Sequence, residues 1–326
     1  MQIQDKIHGA VARIESAFRE IARIGSGSGF TLQPTATRAN VVAMTQMHGL
    51  CHLRELADGL VKLSEQEPDL FAQLVASQNV VELNSGGGLS GLLVAMLAAT
   101  DAKAPRVFFI DHAKAAVDFA VELAARLDVQ ASGFSVIKHY VNAPPNELPD
   151  NNGTLTSATL EPALPQLAGP TTIVAGHALS VNTFAPGNRQ ANLALQNRFI
   201  LGQVDQALDP AARVVLLQLD IAHPMASTMP DFQAMICAKE NSSRNRNISS
   251  VFEASPANRT PGKEGRGKYF AALQLDALPC ADELVVWSVG DCEILLSKSE
   301  VDALIGQRAS HCRYESLQEL VGQGVR

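Results

Sequence analysis

The sequence predicts an α/β protein built on a doubly wound, mostly parallel sheet and preceded by an all-helical N-terminal cap. Three observations carry this. From Val80 onward, short β-rich runs alternate with Ala- and Leu-rich helical ones, as βαβ units require. Before Val80 no strand pattern occurs. At the boundary, "VVELNSGGGLSG" breaks an apolar run with glycines and restarts as "LLVAMLAA", a strand that turns directly into a helix.

The elements follow in order. Ile7, Val11, Ile14, Phe18, Ile21 and Ile24 recur at three- and four-residue steps, the stripe of an amphipathic helix from about Ile3 to Ile24. "GSGSGFTLQPTATRAN" reads as a loop, and further helices are expected from about Arg38 to Leu63 and from Glu65 to Val75. Then come "VVEL", "GLLVAMLAAT", "RVFFID", "AKAAVDFAVELAARL", "FSVIKHYV", "TTIVAG", "NLALQNRFILGQVDQAL" and "RVVLLQLD". Their strands are continuously apolar, as in a parallel sheet covered on both faces. From Ala238 to Lys268 the chain is polar and aperiodic, and a long loop or lid is expected there. "YFAALQLDAL" and "ELVVWSVGDCEILL" supply two more strand candidates, and "SKSEVDALIGQ" to the end reads as helical. The expected division is a helical cap over 1–75 and an α/β domain over 76–326, with the lid at 238–268. No internal repeat is found.

The chain has 326 residues, 46% of them hydrophobic, enough for a sizeable core. A net charge of -7 argues against a protein whose affinity rests on neutralising nucleic-acid phosphates. The 238–268 segment alone runs the other way, with seven basic residues against three acidic ones; without interleaved aromatics it makes a weak nucleic-acid surface. The five cysteines are scattered, without C-x-x-C pairs, and read as reduced thiols. The first 25 residues mix charges throughout, and no stretch reaches the roughly 18 apolar residues of a membrane span, so a cytoplasmic location is expected.

The glycine turn carries the chemistry. A strand stopping at glycines before a helix offers free N–H groups and the positive helix N-terminus to a ligand. Gly86, Gly88 and Gly91 satisfy the dinucleotide pattern G-x-G-x-x-G, and Asp111 follows about 20 residues later at the end of the next strand. Alone, that suggests a nicotinamide or flavin enzyme. Glu82 pulls away from it, because a carboxylate inside an apolar strand needs a partner.

"ELNSGGG" resembles motif I of the class I S-adenosylmethionine-dependent methyltransferases, a Rossmann-like family with an acidic residue followed by glycines at alternate positions; Glu82, Asn84, Gly86 and Gly88 fall on that register. The resemblance covers roughly Asn79 to Leu296. It implies S-adenosyl-L-methionine as cofactor, with Glu82 near the methionine ammonium, the backbone of Asn84, Ser85, Gly86 and Gly88 close to the ligand, and Asp111 on the ribose hydroxyls. His112 would lie near the adenine, as would Asn142 at the end of the third strand. Asn84 stands where the family has its first motif glycine, and no Asn-Pro-Pro-Tyr or Asp-Pro-Pro-Tyr motif IV occurs.

At the reacting end, the strand C-termini pick out His177 after "TTIVAG" as general base or substrate orienter, and Asp220 with His223 in "QLDIAHP". For His177 the plain alternative is a loop histidine satisfied by backbone; for Asp220 and His223 it is a cap on the Pro224 turn. His48 and His52, four apart on a helix with Cys51 between them, have metal-ligand spacing but no evident third ligand, and no metal is expected. The expected function is methyl transfer to a small-molecule acceptor, without a nucleic-acid or membrane partner; a homodimer is left open. Two competitors stay open: an NAD(P)-dependent oxidoreductase, and a non-catalytic binding protein on the methyltransferase fold.

Overall fold

A computed structural model describes residues 3–22, 36–100, 104–143, 152–176, 189–209, 211–221, 246–256, 259, 268–277, 284–289 and 292–297. Helix α1 (Ile3–Ala22) buries Ile7, Ala10, Ile14, Phe18 and Ile21 along one stripe, as its period predicts. Thr37 caps α2 (Arg38–Met44): its hydroxyl accepts the Asn40 N–H, and the Asn40 side chain accepts the Thr37 N–H at 2.9 Å. The helix continues through a π-helical turn, Thr45–Gly49, into α3 (Leu50–Gln66), and Pro68 opens α4 (Pro68–Val75) at the position where its missing N–H costs nothing. These helices form the expected cap.

The sheet begins with β1 (Asn79–Leu83), buried along its whole length, followed by α5 (Leu89–Ala98). Strands β2 (Arg106–Asp111) and β3 (Ala131–Val141) flank α6 (Lys114–Arg126). Then come β4 (Thr154–Glu161), β5 (Thr171–Gly176), α7 (Arg189–Ala207), β6 (Val214–Ile221), β7 (Arg246–Ala254) and β8 (Lys268–Ala277). The strand order is β4-β3-β2-β1-β5-β6-β8-β7. Strands β3, β2, β1, β5 and β6 pair in parallel; β4 and β8 run antiparallel to their neighbours. The order reverses between β1 and β5, and the crevice outside that pair is where doubly wound sheets bind ligands.

Two apolar layers sandwich the sheet. On one face the cap, α5 and α6 pack on Val80, Phe109, Val174, Leu217 and Phe270. On the other, Ile200, Leu201 and Val204 of α7 cover Val81, Leu83, Ile110, Ile173 and Leu216. Helix α3 sits directly on β8: a methyl group at Gly59 would lie 2.5 Å from the Phe270 ring, so only glycine admits that ring. One turn earlier, Glu55 meets Lys268 Nζ at 3.0 Å, with both residues buried.

The expected long loop at 238–268 is corrected: residues 246–254 form β7. It reads as polar because it pairs on one side only, with β8, at the edge of the sheet. "ELVVWSVGDCEILL" gives two strands, β9 (Leu284–Val289) and β10 (Cys292–Ser297), which pair antiparallel as a separate hairpin. Of the helix read from Ser297 to the C-terminus, Ser297 ends β10 and the rest, from residue 298, lies outside the described residues. Strand β4 was not legible as a strand. It is the opposite edge, and α7 closes its outer side: Asn192 accepts the Leu155 N–H at 2.8 Å and donates to Gly153 O at 2.8 Å, while Gln203 accepts the Leu160 N–H at 2.9 Å and donates to Ala158 O at 2.8 Å. Asn192→Leu should therefore strand a buried N–H and a C=O and cost about 1–3 kcal/mol, measurable by urea unfolding; an unchanged midpoint would remove this account of β4.

Candidate cofactor and acceptor site

Strand β1 delivers the glycine turn to the β1–β5 crevice. Three alternate residues are left-handed there: Asn84 (φ 47°), Gly86 (φ 52°) and Gly88 (φ 74°). Asparagine is among the few side-chain-bearing residues that tolerate this region, so the turn keeps its shape despite Asn84. The other glycines answer to neighbours: a Cβ at Gly91 would lie 2.7 Å from Glu82 Oε2, and one at Gly87 would lie 2.5 Å from Thr45 Oγ1 in the cap's π-helical turn. The cap therefore rests on the turn itself.

Both predicted carboxylates are buried and hold backbone. Glu82, 3% exposed, accepts the Gly91 N–H at 2.9 Å and the Ser90 N–H, at the start of α5. Burial pushes its pKa up to about 8, against the pull of those two N–H groups. Asp111, 2% exposed, accepts the Gly86 N–H at 2.8 Å and the Ala113 N–H at 2.9 Å, and His112 Nδ1 lies 3.2 Å from its Oδ1. Burial would raise its pKa, but His112 and the two N–H groups outweigh burial and hold it below the usual carboxylate range. Asp111 thus ties the turn to β2, and Ser85 N donating to Ile110 O at 2.9 Å adds a second tie.

The Ser85 hydroxyl, in the middle of the turn, is buried and has no hydrogen-bond partner. Asn84 reaches the other way, into α7: Gln196 Nε2 donates to its Oδ1 at 3.3 Å, and its Nδ2 donates to Asn197 Oδ1 at 3.5 Å. Neither α7 residue was foreseen.

The structure thus gathers Glu82, Asn84, Ser85, Gly86, Gly88, Asp111 and His112 at one crevice. It does not bring Asn142 there. Asp111 is level with Ser135 on β3, and Asn142 follows seven residues later, roughly 20 Å further along the strand. The reason is that β3 outruns β2 and continues with β4 as an antiparallel arm, so the end of β3 is not the rim of the sheet. Asn142 is exposed, with φ 56°. His177 and His223 lie outside the described residues. The backbone of Asp220 stands on β6 opposite Tyr269, at the sheet's C-terminal edge.

Around the cap, His48 and His52 stack with ring centroids 6.1 Å apart. Among the described residues no cluster of three metal-ligating side chains occurs. Burial, then the nearby Glu55, push the Cys51 thiol up, away from a reactive thiolate. Of the basic residues in 238–268, Arg259 pairs with Asp58 at 2.7 Å and Lys268 with Glu55, so both are spent on the cap.

No protein-family model and no curated protein matches the sequence. Among solved structures, a Pyrococcus horikoshii protein described as an RNA methyltransferase aligns over 82% of this chain and 100% of its own, at 11% identity and a TM-score of 0.37. A geranyl diphosphate methyltransferase in complex with S-adenosylmethionine aligns over 76% of this chain and 93% of its own, at 10% identity and TM-score 0.37. An S-adenosylmethionine-dependent methyltransferase of Aquifex aeolicus aligns over 66% and 92%, at 10% identity and TM-score 0.31. No helix among the described residues is long and apolar enough to cross a membrane. On its own strand order and glycine turn, the chain has a doubly wound, mostly parallel, Rossmann-like fold with a helical cap seated on the turn.

Proposed function

We propose that this protein is an S-adenosylmethionine-dependent methyltransferase acting on a small molecule. The observation that carries the reading is the turn at the β1–β5 switch point, where a buried carboxyl, a left-handed glycine path and an unpartnered buried hydroxyl coincide. Burial keeps Glu82 mostly protonated below about pH 8, and a cation beside it, such as a methionine ammonium, would favour its charged form. Ser85 Oγ has an unmet hydrogen bond that a carboxylate or hydroxyl of the ligand would supply. These residues fit the cofactor.

In this reading the cofactor brings an electrophilic methyl on sulfur, and the protein supplies position. Glu82, Ser85 and the backbone of Gly86 and Gly88 hold the amino-acid end. Asp111, fixed by Gly86, Ala113 and His112, retains about one acceptor site, on Oδ2, for a ribose hydroxyl, with His112 toward the adenine. Displacement at carbon needs the acceptor held in line more than it needs acid or base. His177, beyond β5, is the residue assigned to orient or deprotonate the acceptor; Asp220 and His223, beyond β6, are its alternates. The acidic chain, and Arg259 and Lys268 paired to the cap, favour a small acceptor over RNA.

A nicotinamide enzyme shares the glycine turn but offers Glu82 no cation. Calorimetric titration with S-adenosylhomocysteine and with NADH separates the two. Saturable binding of the first and none of the second is expected; the reverse would make the protein an oxidoreductase, and binding of neither would leave the fold as a non-catalytic scaffold, the reading that the Asn84 tie to α7 favours.

A further inference from the structure

Gln218 is fully buried in β6, and neither its amide nitrogen nor its carbonyl oxygen has a hydrogen-bond partner. Two orphaned polar atoms in one core side chain are expensive, and native cores rarely keep them without a use. Strand periodicity puts Gln218 on the α7 face with Val214 and Leu216. Its place along the strand is close to the ligand edge: it pairs with Ala175, one residue before the end of β5, and with Ala271 on β8. Both lateral neighbours are thus alanines, which offer only methyl groups beside the amide and leave its hydrogen-bonding edge unsatisfied. Towards the β1 turn the same face carries Gln196 and Asn197, the α7 amides that hold Asn84. Gln218, Gln196 and Asn197 are uncharged donors and acceptors.

We propose that Gln218 is a specificity-determining residue that reads the methyl acceptor, and that the acceptor is a neutral heterocycle with a cis-amide edge, such as a lactam or cyclic imide. A primary carboxamide and a cis amide are mutually complementary: Gln218 Oε1 accepts the ring N–H while Nε2 donates to the ring carbonyl. A carboxylate would leave Oε1 facing an acceptor, and an apolar ring would leave both atoms unpaired, so the same residue rejects both. The inference rests on the methyltransferase reading for the word acceptor, but the site itself stands on β6 and not on the cofactor turn.

The test uses Gln218→Met, which keeps length and removes both polar atoms, with 2-pyridone as the lactam probe and N-methyl-2-pyridone as the probe lacking the N–H. Without ligand, the variant should melt higher by about 2 °C or more, because an unpaired amide has been replaced by a packed side chain. By ligand-observed NMR, 2-pyridone should bind the native protein saturably, N-methyl-2-pyridone more weakly, and the variant should lose roughly tenfold or more in 2-pyridone affinity. A lower melting temperature would mean that the amide serves the fold or holds an internal water, and would overturn the proposal. Equal 2-pyridone binding by both proteins, or none by the native one, would overturn it too. Calorimetry with S-adenosylhomocysteine on both proteins keeps the two readings apart. Its failure to bind would sink the methyltransferase reading while leaving the lactam result standing, and equal affinity in both, with the loss of 2-pyridone binding, would separate Gln218 from the cofactor site.

Discussion

Glu82→Gln is expected to stabilise the ligand-free protein at pH 8 and to weaken its hold on S-adenosylhomocysteine. The folded-state pKa of Glu82 is raised from the ordinary 4.5 to about 8, so between those values the folded state binds a proton that the unfolded state has released. Stability therefore falls as pH rises from about 4.5 towards 8, by an amount on the order of a few kcal/mol, and levels off above. Glutamine keeps the acceptor for Gly91 and carries no charge to desolvate. Thermal melts across pH 5 to 9 should show the native protein losing stability through that window and the variant losing much less. Binding runs the other way: an ammonium beside Glu82 favours its charged form, so ligand binding near pH 7 should release up to about one proton, seen as calorimetric heats that scale with the ionisation enthalpy of the buffer. Glu82→Gln should abolish that release. A buffer-independent enthalpy in the native protein would detach Glu82 from the ligand.

Lys268→Met should be among the most destabilising single changes in the chain. Glu55 is wholly buried, and its second oxygen already accepts the Arg259 N–H at 2.7 Å, so removing Lys268 leaves a carboxylate in the core without its counter-ion. Breaking one side of such a pair typically costs about 3–5 kcal/mol, whereas replacing both partners by apolar groups is often close to neutral. The double variant Glu55→Met with Lys268→Met should thus recover most of the loss, less the bond to Arg259. Urea denaturation of the four proteins forms the cycle. If Lys268→Met proved neutral, the cap would be held to β8 by packing, as at Gly59 and Phe270, and not by the ion pair.

The pair also shows where the sequence falls silent. Glu55 and Lys268 lie far apart in the chain, and each alone reads as an ordinary surface residue; only the docking of α3 on β8 turns them into a core contact. What was legible depended on local period and on glycine. The βαβ alternation, the turn at Val80 to Gly91 and the cap stripe from Ile7 to Ile21 all announce themselves within a few residues. Edge strands do not: β4 and β7 pair on one side, carry Thr, Ser and Asn, and mimic loops. One signal for β4 was present. Asn192, Gln196 and Gln203 fall within about 40° of one another around α7, a row of amides too regular for a solvated face. The Asn142 assignment failed because strand ends were equated with the sheet rim, which β3 overruns.

Asn84, the departure from the glycine pattern, is resolved in part by its surroundings. Its left-handed backbone performs the turn's task, and its side chain adds what glycine lacks, a bond to the helix that follows β5. The glycine turn and α7 are thereby joined, and the cap touches the same turn through Thr45 and Gly87.

A crystal structure of the protein with S-adenosylhomocysteine tests the central claim most directly. The ligand should lie across the β1–β5 crevice, with its ammonium at Glu82, its carboxylate or a hydroxyl on Ser85 Oγ, its ribose at Asp111 and its sulfur facing the β5 and β6 ends. A ligand bound elsewhere, or a crevice that stays closed by the Asp111–Gly86 tie at saturating ligand, would contradict it.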